Sequence, residues 1–455
     1  MQALLERRFS GETFDYRFVF ALLGPVVMDQ FFLVSFNFLN TAMISGSGES
    51  AISAVNMVGT LNVFIVQTFV AIGLGGTVLI AQYFGKHALL TLGAIVNGTI
   101  YLAIFSGTLF ATVAALLRTP LLHLLFGAAQ PQVLADAELY LLGIVFSYPF
   151  EAVIAGISGC LRGVSKTGRS LQLSLVMNAL YLALNVWFIL ILHWGVAGMA
   201  LGLNLSRWVG CLFARHVLGQ CRDVLHLQKK RLRHVDWPWV KRVLTVSLPF
   251  AAESIFFNGG RIIVQMMIVA LGTSSIVAFA IAGSWSQLSE IIPTALQNAL
   301  VPIVGQCMGR KNVADAKKIT LGFLGLGVLA YVVVDGLLLL VFHRAIWIFH
   351  PAAGIVPLIF AVYCTYLVMH LLVWPASFIL PSALRAAGDG KFTTYVSLGT
   401  MWLFRVAGCY LVGLKLGYGL RGIAVIMVLE WLIRALIFGV RFRGKRWYCH
   451  EVTKQ

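Results

Sequence analysis

The sequence is short of charge, and shorter still of acid. Only 11% of its 455 residues are Asp, Glu, Lys or Arg, and 17 of those are carboxylates. A soluble fold commonly gives about a quarter of its residues to charge, so this composition excludes an ordinary water-soluble protein. The seven cysteines, Cys160, Cys211, Cys221, Cys307, Cys364, Cys409 and Cys449, are scattered and form no C-x-x-C pair. Neither a disulfide framework nor a zinc site is indicated, and small apolar fillers are the simpler reading. No G-x-x-x-x-G-K-[ST] loop occurs, so the usual cradle for ATP phosphates is missing. The start of the chain, with Glu6, Arg7, Arg8 and Asp15, lacks a short apolar core and a small-residue cleavage site. No cleaved leader is expected.

What remains is apolar. Hydrophobic residues make up 59% of the chain, and the mean hydropathy is +0.88. Long apolar stretches recur between short polar breaks, and about 20 such residues in a helix cross a hydrocarbon core of about 30 Å. The pattern predicts helical spans at 18–45, 51–82, 90–117, 133–160, 169–193 and 195–218. A second set follows at 238–270, 274–308, 314–342, 354–384, 391–415 and 419–441. Between the sets lies the one long polar interruption, with Lys229, Lys230, Arg231, Arg233 and His234. The expected organisation is an arm at 1–17, a six-helix bundle at 18–218, a basic linker at 219–237, a second six-helix bundle at 238–442 and a basic tail at 443–455.

A net charge of +17 suits a nucleic-acid partner only if it gathers on one face. It does not. With the N-terminus placed inside, 25 Lys and Arg fall on that side, and only Arg118, Arg344, Lys415 and Arg421 fall outside. That bias is the positive-inside signature of a multi-pass protein. The partner is therefore the bilayer of an inner (plasma) membrane, both termini are expected in the cytoplasm, and no nucleic acid is expected.

The two halves repeat each other. Pro25 to Lys86 aligned with Pro249 to Arg310, at a constant offset of 224, gives 12 identities in 62 positions without a gap. Pro25/Pro249, Gly48/Gly272, Gly59/Gly283, Gln82/Gln306 and Gly85/Gly309 are among them. Further on, Leu161-Arg162 matches Leu384-Arg385, and Gly195-x-x-Gly198 matches Gly419-x-x-Gly422. An even number of spans per repeat leaves both halves facing the same way, as in transporters built of parallel repeats.

Several fragments carry a family resemblance: Phe38-Leu39-Asn40-Thr41-Ala42-Met43-Ile44-Ser45, Gly48-Glu49, Ala51-Ile52-Ser53-Ala54-Val55, and Ala81-Gln82-Tyr83-Phe84-Gly85. Cys160-Leu161-Arg162-Gly163 with Thr167, Asn178, Asn185, and Gly195-Val196-Ala197-Gly198 continue the series. In this order, over nearly the whole length, the chain resembles the multidrug and toxic compound extrusion (MATE) family. The resemblance implies an all-α, V-shaped arrangement of two pseudo-symmetric six-helix bundles. It further implies a monomer without cofactor that exports amphipathic organic compounds by alternating access, as H⁺ or Na⁺ moves in. The chain also departs from the family: Asn40 stands where many members carry aspartate and Asn185 where some archaeal and bacterial members do, the glutamate that some members use in the seventh span falls at Phe257, and the aspartate of the tenth falls near Trp374. An amide does not carry a proton near neutral pH.

Six carboxylates lie within the predicted spans, Asp29, Glu151, Glu253, Glu290, Asp335 and Glu430, together with Arg207, Arg261, Arg405 and Arg434. A charge at mid-bilayer costs at least about 2.5 to 3.5 kcal/mol, so each is expected to be functional or paired. Asp29 and Glu253 are equivalent under the repeat, each four residues after its proline. They are the first candidates for ion coupling, with Glu151 beside Pro149 a further one; the alternative for each is a structural ion pair. Arg261 and Arg405 suit an anionic or zwitterionic substrate, or else neutralise Glu253 or Glu430. Glu430 and Arg434 stand four apart, the spacing of an intrahelical ion pair. Phe257 and Trp402 are assigned to the substrate cavity. So are Asn37, Asn40, Asn178 and Asn185, unless these amides are only interhelical glue. His370 reads as a proton relay or as a packing residue, and Asp335, in the apolar run from Leu321 to Phe342, has no visible partner. Two other readings stand beside an exporter: a lipid-linked saccharide flippase, whose diphosphate the arginines would suit, and a membrane-embedded enzyme built on His370. Nothing at catalytic spacing accompanies His370.

Overall fold

The computed structural model describes residues 6, 8–44, 49–126, 131–227, 235–349 and 351–449, and every regular element among them is helical. The first half comprises α1 (Tyr16–Ile44), α2 (Glu49–Gly85), α3 (Leu89–Leu116), α4 (Arg118–Phe126), α5 (Pro131–Val145), α6 (Tyr148–Gly163), α7 (Thr167–Asn185) and α8 (Gly195–Gln220). The second comprises α9 (Trp237–Ala270), α10 (Thr273–Ser289), α11 (Ile291–Gly309), α12 (Val313–Ala345), α13 (Val356–Leu372), α14 (Trp374–Ala386), α15 (Gly390–Gly399) and α16 (Gly419–Arg443).

Among the described residues, nine helices are long and apolar enough to cross a membrane, or eleven counting each of two bent pairs as one span. The bent pairs are α5/α6, at 50°, and α13/α14, at 46°. The α9 helix falls outside that set because Lys241, Arg242, Glu253 and Arg261 dilute its apolarity. Its 34 residues still span about 50 Å at about 1.5 Å each, and among the described residues α9 is thus a twelfth candidate span. Side chains that a soluble core would enclose point outward instead: Leu340 is 81% exposed and Val440 72%. Hydrocarbon is the solvent that tolerates them.

Three predicted continuous spans are broken. The fourth stops at Phe146–Ser147 before Pro149, the eighth at Glu290 before Pro293, and the tenth at Val373 before Pro375. Proline has no N–H for the preceding turn and its ring crowds the carbonyl four residues back, so a helix restarts there more readily than it continues. In the fifth and eleventh spans the turns widen instead, to π-helical stretches at Val186–Ile191, Thr400–Val406 and Cys409–Lys415.

Packing divides the chain into two compact units, one of Gly24–Ser254 and one of Met1–Leu23 with Ile255–Gln455. The divisions fall inside α1, just before Pro25, and inside α9, after Pro249. In the 24–254 unit, Phe69 of α2 packs edge-on against Phe110 and Tyr148, within a core that includes Leu141, Ile144, Ala200 and Leu203. Gly73 and Gly159 let α2 and α6 approach so closely that Thr77 Oγ1 donates to the Gly159 carbonyl at 2.8 Å, a small-residue contact typical of helices packed in lipid. The start of α9 belongs here, with Trp239 edge-on to Tyr83 and Ser247 Oγ donating to the Ile72 carbonyl.

In the other unit the N-terminal arm is tied to α12. The Thr13 amide donates to Asp315 Oδ2 at 2.7 Å, Lys318 Nζ donates to the Ser10 carbonyl, and Phe9 meets Phe323. At the other end of the chain Arg441 forks onto Asp389 at 2.8 and 3.2 Å, and the buried Trp447 indole donates to the Phe442 carbonyl.

Candidate ion and substrate sites

Each unit buries ionisable groups, and the sequence placed most of them within spans without naming their partners. In the 24–254 unit, Glu151 sits in the first turn of α6 and Arg207 near the middle of α8. Arg207 Nε lies 3.0 Å from Glu151 Oε2, with both side chains nearly buried. Arg207 Nη1 also donates to Ser147 Oγ at 2.6 Å, and Ser147 occupies the break between α5 and α6. The guanidinium thus ties a proline-broken span to α8, and Glu151 is its counter-charge. Close by, the Tyr181 hydroxyl is hydrogen-bonded to Tyr140 and to Asn185.

Asp29 of α1 is half-buried and hydrogen-bonded to the Ser174 side chain of α7, with Arg162 within electrostatic reach. Its Oδ1 is buried and accepts no hydrogen bond. Asn178 donates to the Ser174 carbonyl at 2.8 Å, one turn further along. Asn178 therefore joins the Asp29 group, whereas Asn185 joins the tyrosines. The Asn37 and Asn40 side chains lie outside the described residues. Glu253 is buried at 8% exposure in the same packing unit as Asp29, so the two repeat-related carboxylates share one unit rather than standing one in each.

In the 255–455 unit the closest ion pair among the described residues joins Arg405, on the π-helical continuation of α15, to Glu430 of α16. Arg405 Nη2 is 2.6 Å from Glu430 Oε2, and Arg434 Nη1 is 3.9 Å from Oε1. The i,i+4 pair expected from sequence is thus the looser of the two. Arg405 lies over the rings of Phe257 and Trp431, and Arg434 over those of Phe257, Phe378 and Phe438. Cations over aromatic faces keep part of the solvation that burial removes. Phe257, where the family's carboxylate is missing, thus serves two guanidinium groups. Arg261, one turn beyond Phe257 on α9, is exposed and within electrostatic reach of both Arg405 and Glu290. Trp402 is also exposed. Its three-residue spacing from Arg405 implies a shared face in an α-helix, but not in the wider i→i+5 turn found there.

One constellation went unread in the sequence. Asp335 does have a partner: its Oδ2 lies 3.0 Å from His370 Nδ1. His370 Nε2 is 3.0 Å from Ser286 Oγ and 3.7 Å from Glu290 Oε1, and Ser286 Oγ is 3.2 Å from the same carboxylate. The ring stacks on Tyr331 at 4.4 Å. A lone histidine and a lone aspartate in the neighbouring ninth and tenth spans were the signal available.

Among the described residues no cluster of three or more His, Cys, Asp or Glu has the arrangement of a metal site. Membrane-crossing helices, an apolar exterior, internal duplication and buried polar clusters are the features of a polytopic membrane transporter. The MatE family profile matches residues 25–188 and 249–411, one match per half, and the chain belongs to that family. The uncharacterized transporter YisQ of Bacillus subtilis is 26% identical over 447 residues, covering 94% of each chain. The multidrug resistance protein PmpM of Pseudomonas aeruginosa is 22% identical over 410 residues, 88% of this chain and 82% of its own.

Among solved structures, a MATE protein in the bent conformation superposes with a TM-score of 0.86 at 19% identity, over 97% of this chain and 96% of that one. A MOP superfamily transporter from Pyrococcus furiosus, described as having a binding pocket of reverse polarity, superposes with a TM-score of 0.87 at 17% identity, over 96% of this chain and 97% of its own. These likenesses establish the fold. Membership of a transporter family sets aside the reading as a membrane-embedded enzyme.

Proposed function

We propose that this protein is a monomeric secondary antiporter, with both termini in the cytoplasm, that exports anionic or zwitterionic amphipathic compounds in exchange for H⁺ or Na⁺. The observation that carries the substrate class is the gathering of arginines near Phe257 in the 255–455 unit. Two buried guanidinium groups, Arg405 and Arg434, lie beside Glu430, and Arg261 is within electrostatic reach of Arg405 and Glu290. Arginine presents the flat, forked donor set that carboxylates and phosphates fit. The pocket polarity described for the Pyrococcus furiosus transporter is a precedent for such variation on this fold.

Alternating access is supported by the duplicated halves, and by relatives of the same fold captured in bent, straight and outward-facing conformations. The coupling ion is assigned to Asp29 and Glu253 of the 24–254 unit. Asp29 has a buried oxygen that accepts no hydrogen bond and can take up a cation. Glu151 is a weaker candidate because Arg207 already neutralises it. The same arginines would also receive the diphosphate of a lipid-linked saccharide, which keeps the flippase as a second reading. Counterflow in proteoliposomes with cationic, neutral and anionic compounds, with and without Na⁺ at two pH values, tests the assignment. Preference for anionic or zwitterionic compounds without any lipid-linked sugar supports it. Exchange of cations alone, or flux only of lipid-linked sugar, overturns it.

A further inference from the structure

Asp335, His370, Ser286 and Glu290 come from three helices, α12, α13 and α10 with the junction that follows it. The His370 side chain is fully buried and that of Asp335 is 3% exposed, whereas that of Glu290 is 33% exposed. The row therefore runs from the interior of the unit to its surface. Asp335 and Glu290 are the charged groups that act on the ring, and Tyr331 and Tyr366 are the titratable groups stacked along it. The charges of α16 are engaged elsewhere, Glu430 with Arg405 and Arg434.

Two protonation states fit these distances. In the neutral ring, Nδ1–H donates to Asp335 and Nε2 accepts from the Ser286 hydroxyl. In the protonated ring, Nδ1–H still donates to Asp335, Nε2–H donates to Ser286 Oγ, and the serine proton turns to Glu290 Oε1. Ser286 is hydrogen-bonded in both states and only reverses its direction. The proton is conserved at each step: Glu290 takes one from solvent and passes it to Ser286 Oγ, which gives its own to Nε2. Charge favours neither extreme outright. A neutral ring leaves the buried Asp335 and the partly exposed Glu290 both charged, and a protonated ring leaves one excess negative charge, with Arg261 near Glu290.

We propose that these four residues form a proton-binding site of the 255–455 unit, loaded and emptied through Glu290, that takes part in the transport cycle. The proposal rests on the antiport reading for its role, but not for its existence. Solid-state NMR of the full chain in liposomes, with ¹⁵N-labelled histidine, tests the site directly. The resonance of His370, assigned by its loss in His370→Gln, is expected to pass from protonated to neutral as the pH is raised, and to be displaced in Asp335→Asn. A ring held in one protonation state throughout overturns the site.

The role is tested by transport. His370→Gln is expected to lose pH-driven transport while keeping substrate counterflow. Ser286→Ala, a smaller change that leaves ring and carboxylates in place, is expected to lose pH-driven transport while His370 still titrates. Undiminished pH-driven transport in both variants overturns the role. A wild-type protein with no counterflow of any compound overturns the antiport reading instead, and the titration still decides the site.

Discussion

Arg405 Nη2 lies 2.6 Å from Glu430 Oε2 while Arg434, on the same helix as the glutamate, reaches no closer than 3.9 Å. The stronger pair therefore bridges two spans, and the intrahelical pair is secondary. Removing one member of a buried pair strands the other in a low dielectric at a cost of about 3 to 5 kcal/mol.

Glu430→Gln is accordingly expected to lower the unfolding temperature in detergent more than Arg434→Ala does, with Arg405→Ala close to Glu430→Gln. Equal effects of Arg405→Ala and Arg434→Ala would show that the bridge between spans is not the dominant contact.

Glu151 and Arg207 form the corresponding pair of the other unit, 3.0 Å apart. Glu151→Leu or Arg207→Leu alone is expected to destabilise by about 3 to 5 kcal/mol, whereas the double change to leucine recovers most of that loss. Thermal unfolding of the three variants measures the coupling, and additive losses would contradict a structural pair.

Asp29 is held by Ser174 of α7. Asp29→Asn keeps the shape and the hydrogen-bonding capacity but binds no exchangeable proton near neutral pH. It is expected to abolish gradient-driven transport and to spare counterflow, with Ser174→Ala weaker in the same direction. Undiminished gradient-driven flux in Asp29→Asn would remove Asp29 from the coupling machinery.

The architecture was legible because it rests on patterns that survive in one dimension. The offset of 224 that aligns Pro25 with Pro249 is also the offset between the starts of the two family matches. Prolines 149, 293 and 375 stand beside the three breaks, but a proline marks a weakened turn without stating whether the helix bends or restarts. The π-helical turns carry no comparable signature, and they move Arg405 off the face that α-helical spacing gives it. The pairing of Asp335 with His370 was hidden for another reason. The two residues are 35 positions apart on different helices, each in an apolar run, and only packing brings them to 3.0 Å.

Ion flux accompanying substrate movement is the most direct measure of the whole account. Purified protein is placed in liposomes containing a pH indicator, or a Na⁺ indicator in a parallel set, and an anionic or zwitterionic compound is supplied on one side. The account predicts that movement of the compound drives H⁺ or Na⁺ in the opposite direction, and that this flux vanishes in Asp29→Asn. Movement of the compound with no opposing flux of either ion would contradict it.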